Sequence, residues 1–263
     1  MITIKKILII IFIIIFLTGC KNKEIKKIDN NPDYYKEEYK ERYKTYKENN
    51  PSLSNEDIIT RVNIGLDNKY YTNTKETKHL NKIYILTNKY LYMPSNYIPD
   101  NLENINPKYA NGTKKLVKEA KIMFEKMVED ASNDGYTIRV ISAYRSYEYQ
   151  NILYNKYVDK DGISLADTYS ARPGYSEHQT GLVVDIDNIK TDYNNFESTN
   201  EFNWMQENAY KYGFILRYPK GKENITGYTY ESWHYRYVGK EIAKYIKKHD
   251  ITFDEYYIRF INQ

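Results

Sequence analysis

Residues 176–185 read Ser176-Glu177-His178-Gln179-Thr180-Gly181-Leu182-Val183-Val184-Asp185. His178 and Asp185 are seven positions apart, so on one straight strand they would face opposite ways. Gly181 interrupts the run and lets His178 sit before a bend, with Asp185 on a strand over 182–186. On that strand Leu182, Val184 and Ile186 share the core-facing side, and Val183 and Asp185 share the other. An acid set among β-branched apolar residues needs an ion-pair partner, hydrogen bonds or a metal.

A second polar cluster, Glu231-Ser232-Trp233-His234, lies in Tyr-rich sequence with strand character. With His234 as a third ligand the set becomes His178, Asp185 and His234. Two imidazoles and one carboxylate suit Zn²⁺ and leave a position open for water. The chain has no HExxH, which excludes a helix-borne zincin site. Glu231, three residues before His234, is the candidate to take a proton from water and hand it to a leaving amine. On spacing alone, two structural histidines remain an equal reading.

The surrounding composition narrows the classes. The chain has 263 residues, 41% hydrophobic and 28% charged, enough for a substantial core. A mean hydropathy of −0.77 excludes a polytopic membrane protein. A net charge of +4 with no basic patch gives no argument for nucleic acid. A single Cys excludes intrachain disulfides, CxxC redox motifs and Cys-rich zinc sites. The 31 tyrosines fall in every region, so they read as biased composition rather than a stacking surface for sugars or wall peptides.

That cysteine is Cys20. Before it stand Lys5 and Lys6, an apolar run from Ile7 to Leu17, and Leu17-Thr18-Gly19. The run is short for a span, which needs ~20 apolar residues, and fits a signal segment over 1–19. Leu17-Thr18-Gly19-Cys20 resembles a bacterial lipobox, whose Cys is diacylated and becomes the mature N-terminus. The expectation is a protein lipid-anchored at the extracytoplasmic face of the cell membrane. An uncleaved anchor with a chance Cys is the alternative.

Residues 20–50 are rich in Lys, Glu, Asn and Tyr and read as a charged stalk, although Tyr34, Tyr35, Tyr39, Tyr43 and Tyr46 have partial helical spacing. Residues 51–78 read as a lead-in that packs on the domain or covers a groove. The folded domain is expected over 79–263. Strands are predicted over 82–87, 137–142, 182–186, 214–216 and 228–237. Helices are predicted over 113–131 with Thr113 as cap, 147–158, 200–211 ended by Gly213, 239–248 and 253–261. Helices and strands mix without βαβ alternation, so the fold class is α+β, a small mixed or antiparallel sheet with flanking helices. A monomer is expected.

Several ordered motifs resemble the VanY-type D-alanyl-D-alanine carboxypeptidase family of zinc peptidases, over roughly residues 80–250. Its SxHxxGxAxD signature stands here as SEHQTGLVVD, 176–185. Its second motif stands as ESWH, 231–234. Its S-x-Y-R-S segment opens SAYRSYEYQ, 142–150, and GFILRYPKGKE, 213–223, is also family-like. The resemblance implies a hedgehog/DD-peptidase-like fold acting on peptidoglycan stem peptides. It implies zinc on His178, Asp185 and His234, and Glu231 as the catalytic carboxylate. Arg145 is implied to grip the substrate's terminal carboxylate or the developing oxyanion, helped by Gln150 and Ser176. The plain alternatives are an ion-pairing Arg145, an exposed helical Gln150 and a turn-capping Ser176. Two departures stand out: Val183 where the family has Ala, whose two extra methyls would crowd the pocket or shift specificity, and Ser232 where many relatives have Pro, which would loosen the loop that aims Glu231. His79 and His249 read as surface residues. L,D-carboxypeptidase and D,D-dipeptidase action would use the same metal and base. A wall-binding lipoprotein with an inactive fold is the non-enzyme alternative, and it should have lost a ligand or Glu231.

Overall fold

A computed structural model describes residues 31–262. The expected signal segment over 1–19 and Cys20 lie outside the described residues. Among the described residues, no helix is long and apolar enough to cross a membrane.

The described chain opens on helices α1 (Lys40–Asn49) and α2 (Asn55–Ile64). Ser54 caps α2 by accepting the Asp57 N–H, and Gly65, at φ 109°, closes it in the left-handed region. Ile58, Ile59, Val62 and Ile64 of α2 are buried together with Tyr34 and Tyr43. They join Phe253, Tyr257 and Ile258 near the C-terminus in one apolar cluster. The expected solvated stalk is therefore corrected for residues 34–49. Its tyrosine rings are large enough to reach the cluster while the intervening Lys and Glu remain in water. Helix α2, within the expected lead-in of 51–78, packs in this cluster against α9.

Strands β1 (Lys75–Glu76) and β2 (Leu91–Tyr92) form a short parallel pair. Between them the expected strand over 82–87 does not form. Ile85 and Leu86 are buried, but in a turn closed by the Ile85 N–H on the Lys82 carbonyl. The Ile83 and Ile85 carbonyls accept from the Arg236 guanidinium, which removes the need for a strand partner. Strand β3 (Leu102–Asn104) pairs antiparallel with β4 (Lys115–Val117). That pairing delays the helix predicted from 113: α3 runs Lys118–Asn133 and Thr113 is not its cap. The core-facing stripe is as predicted, with Ala120, Phe124, Met127, Val128 and Ala131 buried. Burying a side chain such as Phe124 stabilises by ~1.5–3 kcal/mol.

The central sheet contains β5 (Arg139–Ser142), β6 (Val183–Asp187), β7 (Phe214–Leu216) and β8 (His234–Tyr237), all antiparallel, in the order β5-β6-β8-β7. Helices α4 (Tyr147–Asp161) and α5 (Ile163–Tyr169) connect β5 to β6. Helix α6 (Asn200–Asn208), a 3-10 turn and Gly213 in the left-handed region lead into β7. A single turn, α7 (Glu223–Thr226), precedes β8. The strand expected over 228–237 is confined to its last four residues, because 228–233 loops over the cleft. There the Thr229 N–H donates to the Thr168 carbonyl and the Glu231 N–H to the Tyr218 carbonyl. Helices α8 (Lys240–His249) and α9 (Phe253–Phe260) close the chain, the latter with a Thr252/Glu255 capping box. Leu182, Val184 and Ile186 pack with Phe124, Met127 and Phe214 in the main core. The fold is the expected α+β class, with helices around small antiparallel sheets.

Candidate active site

Sheet register assembles the site. In the β6/β8 pair Asp185 lies opposite His234, and in the β5/β6 pair Asp185 lies opposite Ser142. His178 arrives from a 3-10 turn, Glu177–Thr180, ended by Gly181 at φ 67°. A Cβ at Gly181 would come within 2.8 Å of a Leu102 methyl, so the bend requires glycine on both backbone and steric grounds. The expected bend between His178 and Asp185 is thus the observed one.

His178, Asp185 and His234 are buried, with their ligand atoms all within 4.8 Å of one another. Nε2 of His178 is 3.2 Å from Asp185 Oδ2, and Nδ1 of His234 is 3.1 Å from Asp185 Oδ1. Nδ1 of His178 lies 2.7 Å from the Ala143 carbonyl. A carbonyl only accepts, so His178 carries its proton on Nδ1 and turns the Nε2 lone pair toward Asp185. A lone pair facing a carboxylate is repulsive unless a cation lies between them. Tetrahedral zinc with bonds of ~2.0–2.2 Å sets its donors roughly 3.3 Å apart, close to these separations. The donor set and its geometry fit a zinc ion.

Electrostatics agree with that fit. Burial, then the Arg145 guanidinium, lowers the His178 pKa and keeps the ring neutral. Burial alone would raise Asp185, but the donors and charges against it, His234 and Arg145 among them, hold it well below the carboxylate range. Burial would lower His234. Asp185, Glu177 and Glu231 outweigh it and push the ring up to about 9 without a cation. Glu231 stands beside the cluster, its Oε2 3.4 Å from His234 Nδ1. Burial pushes its carboxyl up to about 7.

The remaining expected residues also line this cleft of about 430 Å³. Arg145 donates from Nε to Ser142 Oγ at 2.9 Å and from Nη2 to Asp185 Oδ2 at 2.7 Å, so its ion-pair reading is realised inside the site. Gln150 is buried rather than an exposed helical residue. Its amide donates to the Ala171 carbonyl at 2.8 Å and, at 3.4 Å, to Ser170 Oγ. Ser176 is buried and makes no side-chain cap of the following turn. Val183 is buried but does not line the cleft, so it does not crowd it. His79 and His249 are exposed, as expected.

Two features escaped the sequence reading. Tyr157, Tyr169, Tyr193, Tyr218 and Tyr228 line the cleft, so part of the tyrosine excess builds its walls. Trp233 also lines it and meets Tyr193 edge to face at 5.1 Å. The second feature is a fully buried charge network of Glu177, Arg217, Arg236 and Asp254. Its signal was present: Arg217 follows Phe214-Ile215-Leu216, and Arg236 stands between Tyr235 and Tyr237.

This architecture is shared with carboxypeptidases of known structure. The LdcB LD-carboxypeptidase aligns with a TM-score of 0.67 at 39% identity, over 73% of this chain and 92% of that one. A vancomycin-resistance D,D-pentapeptidase VanY, solved with Zn(II), aligns with a TM-score of 0.57 at 33% identity, over 66% of this chain and 97% of that one. In sequence, the putative carboxypeptidase YodJ of Bacillus subtilis (strain 168) is 39% identical over 211 residues, 73% of this chain and 75% of that relative. The family model VanY, D-alanyl-D-alanine carboxypeptidase, matches residues 113–240. The chain belongs to the VanY family and is a carboxypeptidase of that family.

Proposed function

We propose that the chain is a zinc-dependent carboxypeptidase that removes the terminal D-alanine from peptidoglycan stem peptides. The observation that carries this reading is the convergence of three buried donors with Glu231 in one cleft. His178 Nε2, Asp185 and His234 Nδ1 would hold the ion. Zinc, when bound, would supply Lewis-acid polarisation of the scissile carbonyl and a more acidic water. Glu231 takes a proton as the water oxygen bonds to the carbonyl carbon. It returns that proton to the amine nitrogen as the C–N bond breaks, releasing D-alanine. Arg145 presents a guanidinium fork to the substrate's terminal carboxylate, which competes with Asp185 for it. Gln150 and Ser176 supply further polar groups in the same cleft.

The same machinery serves two stem-peptide lengths. The family description favours D,D cleavage of a pentapeptide, as the sequence resemblance implied. The likeness to the LD-carboxypeptidase LdcB has the higher TM-score and identity of the two structures compared, and it favours L,D cleavage of a tetrapeptide. We take the tetrapeptide as the first reading and the pentapeptide as the second. Incubating the zinc-loaded protein with tetrapeptide, pentapeptide and free D-Ala-D-Ala, and measuring released D-alanine, tests both. Release from neither stem peptide overturns the proposal. Lipidation at Cys20 and residence at the extracytoplasmic membrane face complete the reading; the Cys20 motif supports them.

A further inference from the structure

We propose that Glu177 is a positioning residue that accepts the Nε2 proton of His234 and so keeps Nδ1 turned toward Asp185. The inference rests on the reading of His234 as a metal ligand.

Glu177 is adjacent to His178 in sequence, yet its side chain points to the far side of His234. Its Oε1 accepts from Arg217 Nε at 2.8 Å and Arg236 Nη1 at 3.1 Å. Its Oε2 is buried without a hydrogen-bond partner, and so is Nε2 of His234. These two atoms face each other at 3.7 Å. One is an obligate acceptor and the other a potential donor, and a shift of about 1 Å brings them to ordinary hydrogen-bond distance.

The chemistry follows from the imidazole. A neutral ring carries one N–H and one lone pair. With the proton on Nε2 and held by Glu177, the lone pair must lie on Nδ1, the nitrogen 3.1 Å from Asp185. His178 is held by the same logic from the other side, its off-site nitrogen fixed by the Ala143 carbonyl. Each histidine thus has a backing acceptor, a carbonyl for one and a carboxylate for the other. Such backing groups orient metal ligands and fix their tautomers.

Glu177 is itself fixed as an ionised acceptor. Two buried guanidinium groups, Arg217 and Arg236, both donate to its carboxylate and supply its counter-charge. Arg217 is anchored in turn by Asp254 of α9 at 2.7 Å, and Asp254 accepts from Asn88 at 2.8 Å.

Two measurements test the proposal. In ¹⁵N-labelled, zinc-loaded wild-type protein, the His234 ring should carry its proton on Nε2, with Nδ1 bound to the metal. Zinc titration against a chelating dye should show affinity about 10–100-fold weaker in Glu177→Gln. The variant amide can donate to Nε2 and favour the opposite tautomer. Glu177→Asp, which keeps the acceptor, should recover part of the loss. If Glu177→Gln does not fold by circular dichroism, the wild-type tautomer decides alone. Zinc bound through Nε2 of His234, or unchanged affinity in folded Glu177→Gln, rejects the role of Glu177 and leaves the metal reading standing. Wild-type protein that binds no zinc rejects the metal reading itself.

Discussion

Asp185 on β6 and His234 on β8 are direct cross-strand partners, with 3.1 Å between Oδ1 and Nδ1. In the metal-free chain the Asp185, Glu177 and Glu231 carboxylates outweigh burial and push the ring up to about 9, so a proton belongs in that gap at neutral pH. The folded value lies above the ordinary 6.5. Its stabilising contribution is therefore full below pH 6.5 and lost as pH rises through about 9. A metal must displace this proton. Apparent zinc affinity should therefore rise about tenfold per pH unit below pH 9. Calorimetry in buffers of different ionisation enthalpy should find one proton released per zinc from His234 near pH 7.5. No release would remove His234 from the ligand set. His234→Ala should leave less than one zinc per chain.

Glu231 is set near neutrality by burial, aided by the Asp185 charge and opposed by His234 and Arg145. A cation held by its neighbours draws it down and leaves it ionised as a base. Glu231→Gln should keep one zinc per chain and lose about 10²–10⁴-fold in kcat. Metal analysis beside D-alanine release checks this, and near wild-type turnover would remove Glu231 from the mechanism.

Tyr43 donates to Asn63 at 2.8 Å and packs its ring in the apolar cluster shared by α2 and α9. Tyr43→Ala should destabilise the protein by about 3 kcal/mol, as loss of a buried aromatic ring does. A solvated stalk would change by under ~0.5 kcal/mol. Denaturant unfolding separates the two outcomes.

Cys20 is the point of the proposed anchor. Cys20→Ser should move the protein from the lipid fraction to the soluble one and abolish labelling by a fatty-acid analogue. Persistent labelling would show that the lipid sits elsewhere.

The sequence disclosed the parts of this site governed by local rules. The alternation Leu182, Val184, Ile186 fixed which face of β6 meets the core, and Gly181 marked the bend that brings His178 to Asp185. Long-range pairing was less legible. Ile85 and Leu86 look like strand residues because they are buried, but their neighbouring carbonyls are satisfied by Arg236, 151 residues from Ile85. Arg236, between Tyr235 and Tyr237, pairs with Glu177, 59 residues away, and no local pattern marks such a partner. Tyr34 and Tyr43 were hidden by the charged residues between them: their rings are buried, and Tyr35, Tyr39 and Tyr46 pack partly buried against the same cluster, while most of the intervening Lys and Glu stay exposed.

That docking limits how far the domain could stand from a lipid on Cys20. If lipid holds Cys20, only 14 positions separate the anchor from Tyr34, where the chain is already fastened to the domain. About 14 residues reach at most roughly 50 Å when fully extended, against roughly 200 Å for a tether running to residue 78. The catalytic cleft would then work within a narrow shell above the membrane and meet stem peptides in the wall layer nearest the bilayer. Glycan strands further out would lie beyond its range.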